Sequence, residues 1–187
     1  GMLQRARLRS LAIPLIRGHA CQLPLAASGF DLVFCVNALH HFEDARSFIV
    51  EAYRILRPDG VLAIIGSDPH GQHYRWYGYD YFEGTYGTDL ARFPSWDRVH
   101  DWLQSTGFRN LELGDVEHVR ARYPGRQVLR DPFLKKRACS QLALLSEEAY
   151  RTGLERILGA ITQAETRHET IVFETDLAVS MLTGHKA

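Results

Sequence analysis

The sequence is poor in cysteine, carries no surplus of either charge and has no long apolar run. Its three cysteines, Cys21, Cys35 and Cys139, are odd in number and show no CxxC spacing. That excludes a disulfide framework and a thiolate zinc knuckle, and leaves reduced, mostly buried thiols. Lysine plus arginine equal aspartate plus glutamate at 22 each, so no net field recruits nucleic acid or anionic lipid. Apolar runs fall far short of a membrane span, and no charged start leads into a signal-type stretch. Internal repeats and low-complexity linkers are absent too. These absences predict a cytoplasmic chain with neither a nucleic-acid nor a membrane partner.

What is present is a chain of 187 residues, enough for one domain with a real core. Residues 32–36 (LVFCV) form a continuous apolar run rich in β-formers, the pattern of a strand covered on both faces. After Glu43 and Asp44, the latter suited to cap a helix, Phe48, Ile49, Ala52, Tyr53 and Leu56 recur at helical spacing. Arg57-Pro58-Asp59-Gly60 reads as a turn leading into a second apolar run, 61–65. Strand, helix and buried strand make a βαβ unit with parallel strands. Upstream, 11–16 reads as another short strand, with Pro14 restricting it to an edge.

Beyond Gly66 the texture changes: residues 73–87 (HYRWYGYDYFEGTYG) hold seven of the chain's twenty aromatic residues, which predicts a loop or short helix. Pro94 and Ser95 open a helix with Trp96, Val99 and Leu103 on one face, closed by Gly107. A strand over 108–119 carries an irregularity at Gly114. Residues 120–145 read as loop then helix. Ser146 caps a helix with Tyr150, Leu154, Ile157, Leu158 and Ile161 on one face. Residues 171–183 alternate as a final strand.

RGHACQLPL, FDLVFCVNALHHFED and EAYRILRPDGVLAIIG, in that order, resemble the class I S-adenosylmethionine-dependent methyltransferases of the small-molecule type. There they are a turn after the third strand, a fourth strand ending in L-H-H, and a helix leading to the fifth strand. The resemblance covers nearly the whole chain. It implies an α/β fold: a truncated Rossmann-like methyltransferase sheet with helices on both faces, an antiparallel C-terminal hairpin and a helical insertion at about 120–170, all within a single domain, 1–187. The family's glycine-rich loop and the acidic residue that holds the cofactor's ribose have no counterpart here. The expectation is a domain without the first strand-helix-strand unit.

The resemblance implies transfer of a methyl group from S-adenosylmethionine to a small-molecule acceptor, with weak or absent binding of the cofactor by this chain. The alternative is a non-catalytic, methyltransferase-like partner subunit. Asn37, Ala38, His40 and His41 end the fourth strand, where family members place methyl and acceptor. His40 and His41 are the catalytic candidates, as general base or in orienting the acceptor, unless one imidazole only caps the next helix. Asn37 and Ala38, with His19, Ala20 and Cys21 where the family contacts adenine, are the cofactor-binding candidates. His19 stands in place of an aspartate, exchanging an acceptor for an imidazole, and also reads as a surface turn residue. Asp68, Tyr74, Trp76 and Tyr77 are the substrate-binding candidates. Asp68 equally suits a turn with Pro69, and the rings equally suit a small satellite core.

A metal pair at His70 and His73 lacks acidic or cysteine partners at ligand spacing, so no metal is expected, which weakens a third reading as a metal-assisted hydrolase. The basic run 120–137 reads as a solvated face. Without a first strand, 32–36 is a bare apolar sheet edge that needs cover. Either 11–17 folds beside it or a second copy makes a homodimer.

Overall fold

Strand β1 (Phe30–Val36) shows how the sheet is used. Side chains alternate between faces along a strand. Val33 and Cys35 turn into the core, while Leu32, Phe34 and Val36 turn the other way and are 54%, 66% and 47% exposed. The run of apolar residues predicts cover on both faces, and only one is covered among the described residues. The structure, a computed structural model, describes residues 2–9, 13–71 and 74–187.

β1 lies parallel to β2 (Leu56–Gly66), with α2 (Ala45–Ile55) between them in the chain. Asp44 caps α2 as expected, its carboxylate accepting the Ser47 N–H at 3.0 Å. Phe48, Ile49, Ala52 and Ile55 are buried. The turn expected at 57–60 is a bulge inside β2 instead: pairing passes from Phe30–Leu56 to Leu32–Val61. Asp59 takes a left-handed backbone at φ 62°, and Arg57 clamps Asp31 with two contacts of 2.7 Å. A Cβ at Gly60 would come within 2.9 Å of the Arg57 carbonyl, so only glycine closes the bulge.

The sheet order is β1-β2-β5 (Val172–Lys186)-β3 (Tyr74–Trp76), with β4 (Phe108–Pro124) also paired to β5. β5 runs antiparallel to β2, to β3 and to β4. The expected terminal hairpin is therefore present, with both strands longer than predicted. Irregularities flank Gly114 rather than fall on it: register shifts between Arg109 and Glu112 and between Asp115 and Glu117, while Gly114 pairs with Met181.

Helix α5 (Trp96–Thr106) begins at Ser95, whose hydroxyl accepts the Arg98 N–H, and ends at Gly107 with φ 108°. With α2 it buries Leu62, Ile64, Val99, Leu103 and Leu182 on one face of the sheet. The aromatic stretch, expected as a loop or short helix, forms the short strand β3 and two short helices, α3 (Gly78–Tyr81) and α4 (Thr85–Arg92). Between β4 and β5 come two 3-10 segments, the short α6 (Ser140–Ala143) and α7 (Glu147–Thr166). Ser146 caps α7, its hydroxyl accepting the Ala149 N–H at 3.0 Å. Leu158, expected on the buried face of α7, is exposed.

Ile157 and Ile161 of α7 form a second core with Trp76, Phe82, Leu142 and Phe173. Phe34 is level with Ala63 and Ala63 with Thr183. Phe173, an even number of residues from Thr183, shares their face. Helices thus cover one face beside β1 and β2, and the opposite face toward the start of β5.

The strand expected at 11–16 does not form over 13–16, where Ile13 and Ile16 are exposed. Residues 11 and 12 lie outside the described residues. The described part of that segment does not pair with β1, whose one partner among the described residues is β2. Helix α1 (Met2–Arg9) precedes it. Among the described residues no helix is long and apolar enough to cross a membrane.

Candidate functional site

Where β1 ends, Asn37 turns the chain with a left-handed backbone at φ 46°, its N–H donating to the Ile65 carbonyl at 2.8 Å. Asparagine tolerates this region better than most residues. A 3-10 turn, Leu39–His41, follows; it buries Leu39, half-buries His40 and leaves His41 exposed. The two rings lie 4.0 Å apart, and His40 stacks on Phe93 at 3.9 Å. Burial, with lesser contributions from His41 and Arg92, lowers the His40 pKa to about 4. Burial and Arg92 also lower that of His41. Both rings are neutral at neutral pH. An Arg92 guanidinium nitrogen stands 3.4 Å from His41 Nδ1. Arginine only donates, so Nδ1 accepts and the proton of the neutral ring sits on Nε2.

These residues border a cavity of about 580 Å³. Its floor is the β4–β5 hairpin, with Val119 and Ala121 opposite Leu177 and Thr175, and Tyr123 and Val179 beside them; Phe173, the partner of Tyr123, lies in the core. Tyr74 and Trp76 of β3 supply a wall, and Phe133, Cys139 and Gln141 from the segment before α7 supply another. Beside the cavity Asp89 is fully buried, accepting from the Tyr79 hydroxyl at 2.7 Å and standing 3.5 Å from Arg92. Burial raises its carboxyl pKa. Asp131 accepts from the Tyr77 hydroxyl at 2.6 Å and from the Phe133 N–H at 2.9 Å.

Of the predicted residues, Asn37, His40, His41, Tyr74 and Trp76 meet around this one cavity. Ala38 sits behind Asn37, against the core. Tyr77 is core, supporting Asp131 from beneath. Asp68 spends one oxygen on the His70 N–H at 2.8 Å and the other on the Trp96 N–H at 2.9 Å, the turn role. His19, Ala20 and Cys21 form a turn beside the start of α2: the Cys21 N–H donates to His19 Nδ1 and its thiol reaches the Asp44 carbonyl. They do not line the cavity. His70 bonds the Phe93 carbonyl through Nε2, and His73 lies outside the described residues. No metal-ligating cluster of three or more occurs among the described residues.

Sequence reasoning missed Phe93, Arg92 and Asp131, as well as the hairpin floor. The alternation of 171–183 was a usable signal for the floor, but nothing local named what would face it.

The residues near the end of β1 fit S-adenosylmethionine incompletely. A ribose diol is held by a carboxylate with free oxygens. Those of Asp44 cap α2 and those of Asp68 hold the turn. Glu43 stands in solvent against His19 at 3.9 Å.

Residues 1–64 match a family model described as a methyltransferase domain. An O-methyltransferase from Pyrenophora dematioidea is 30% identical over 111 residues, 54% of this chain and 38% of that protein. A demethylmenaquinone methyltransferase from Deinococcus radiodurans is 27% identical over 128 residues, 57% of this chain and 52% of that protein. The chain spans about half the length, or less, of these curated relatives. Among solved structures, a methyltransferase assigned to an antibiotic biosynthesis pathway in Anabaena variabilis aligns with a TM-score of 0.63 at 23% identity, covering 90% of this chain and 72% of that one. A SAM-dependent methyltransferase from Thermotoga maritima aligns with a TM-score of 0.55 at 20% identity, covering 100% and 69%. The fold is the Rossmann-like methyltransferase fold.

Proposed function

From a chain related to the class I S-adenosylmethionine-dependent methyltransferases, we propose that the cavity between the histidine pair and the β4–β5 hairpin receives the small-molecule acceptor of a methyl transfer. The cavity itself supports this reading. About 580 Å³ walled by aromatic and aliphatic side chains suits a small organic ligand. It opens beside the carboxyl ends of β1 and β2, where open sheets bind their ligands.

His41 orients the acceptor through its Nε2–H, and His40 holds the wall against Phe93. Rings with lowered pKa are weak bases, so their contribution is placement rather than proton removal. This chain holds S-adenosylmethionine weakly or not at all, because the Asp44 and Asp68 carboxylates near Asn37 are already engaged.

A cavity-filling substitution tests the acceptor site. Ala121→Trp places a bulky ring on its floor. Calorimetry with a small aromatic ligand such as 1-naphthol reads binding to the wild type and its loss in the variant, with folding checked by circular dichroism. Unchanged binding to a folded variant contradicts the reading.

A second reading, a non-catalytic partner subunit, is favoured by β1 alone. Its edge, unpaired among the described residues, and its exposed Leu32, Phe34 and Val36 suit strand pairing with a second copy about a two-fold axis. A chain that sediments as a monomer at micromolar concentration removes the homodimer.

A further inference from the structure

One wall of the cavity holds a carboxylate with no cation beside it among the described residues. Asp131 lines the cavity and is 5% exposed. Its hydrogen bonds come from the Tyr77 hydroxyl and the Phe133 N–H, and Tyr123 stands near enough to bond it as well. Among the described residues it forms no ion pair. Asp89, a second buried carboxylate here, has Arg92 at 3.5 Å. Two carboxylates against one guanidinium leave one negative charge uncompensated. Neutral donors alone offset a buried anion less well than a cation does.

The neighbours register this field. The Cys139 thiol on the same wall is pushed up, chiefly by burial, with Asp89 and Asp131 both adding to the effect. The Tyr77 phenol is raised by burial and then by Asp131. Tyr123 and Phe133 stand beside the carboxylate and Trp76 lines the same cavity, and the face of an aromatic ring attracts cations. A desolvated anion among ring faces disfavours an acidic guest and favours a basic one.

We propose that the acceptor carries a protonated amine, held at this wall by the Asp131 carboxylate and the rings of Trp76, Tyr123 and Phe133. The assignment rests on the reading of the cavity as the acceptor site and narrows it to amine-bearing molecules. It says which group anchors the acceptor, and leaves the methylated atom to the end beside His41.

Three probes of one shape and different charge test it on the full chain by calorimetry at neutral pH: 2-phenylethylamine, 2-phenylethanol and phenylacetate. The amine binds at least about tenfold tighter than the alcohol, and phenylacetate binds weakest. Asp131→Asn keeps an acceptor oxygen for the cap and brings the amine down to the affinity of the alcohol, which is unchanged. Equal affinity of amine and alcohol for the wild type overturns the amine assignment and leaves the acceptor cavity standing. Binding of none of the three overturns both. Where the variant fails to fold, the wild-type series decides alone.

Discussion

The imidazole of His40 lies flat on the ring of Phe93, with centroids 3.9 Å apart and planes inclined by 13°. The contact joins the turn after β1 to the residue that ends α4, and so fixes one rim of the cavity to the aromatic segment that walls it. It also takes His40 partly out of water, which favours the neutral ring.

This gives stability a defined pH dependence. The His40 pKa falls on folding from 6.5 to about 4, so as pH drops the unfolded chain takes up this proton first. The contribution is present above pH 6.5 and is lost between there and about 4. It is worth about 1 to 2 kcal/mol, less than the full shift because solvent reaches part of the ring. Urea unfolding across that range shows a steeper acid loss for the wild type than for His40→Gln, which cannot charge. Parallel curves contradict the account.

Gly153→Ala destabilises the protein, although alanine is the better helix former. A Cβ there overlaps the ring of Phe82, which is fully buried between α3 and α7. Overpacking of this kind costs about 1 to 3 kcal/mol. Denaturant midpoints read the sign, and a rise in stability refutes the packing of these two helices.

Removing the Asp89 carboxylate leaves the Tyr79 hydroxyl without its acceptor and the Arg92 guanidinium without the opposite charge 3.5 Å away. Asp89→Ala costs about 3 kcal/mol, since an uncompensated charge remains in a largely buried place. Thermal melts check it, and a loss below about 1 kcal/mol shows that the network adds little.

Phe34→Lys leaves the monomer fold intact, because the ring is 66% exposed and contributes little to the core. It abolishes any self-association through β1, as a charged edge strand resists pairing. Sedimentation velocity of the two proteins reads the difference, and dimers that persist in the variant rule out this face as the contact.

The parts of the fold legible in the sequence are those fixed locally. Asp44, Ser95 and Ser146 each accept the backbone N–H three residues on, and Gly107 takes the left-handed backbone that ends a helix. Such caps show as residue type followed by a periodic apolar run. The bulge at 57–60 resembles a turn because the same Pro, Asp and Gly preferences serve both; only the register against β1 separates them. The open face of β1 was illegible for a related reason, since an apolar run records what a strand can bury and not what its neighbours cover.

The candidate site divides in the same way. His40, His41 and Asn37 were found because one strand delivers them together. The hairpin floor was not, because Val119 and Leu177 meet only through pairing of strands distant in sequence. Asp131, ahead of Pro132, looks like an ordinary turn residue until its burial is known.

Titration calorimetry of this chain with S-adenosylmethionine tests the central claim most directly. The account predicts no saturable heat, or a dissociation constant no tighter than about a millimolar, near 4 kcal/mol of binding free energy. Micromolar binding at one site per chain, about 8 kcal/mol, contradicts it by showing that residues near Asn37 complete a cofactor site after all.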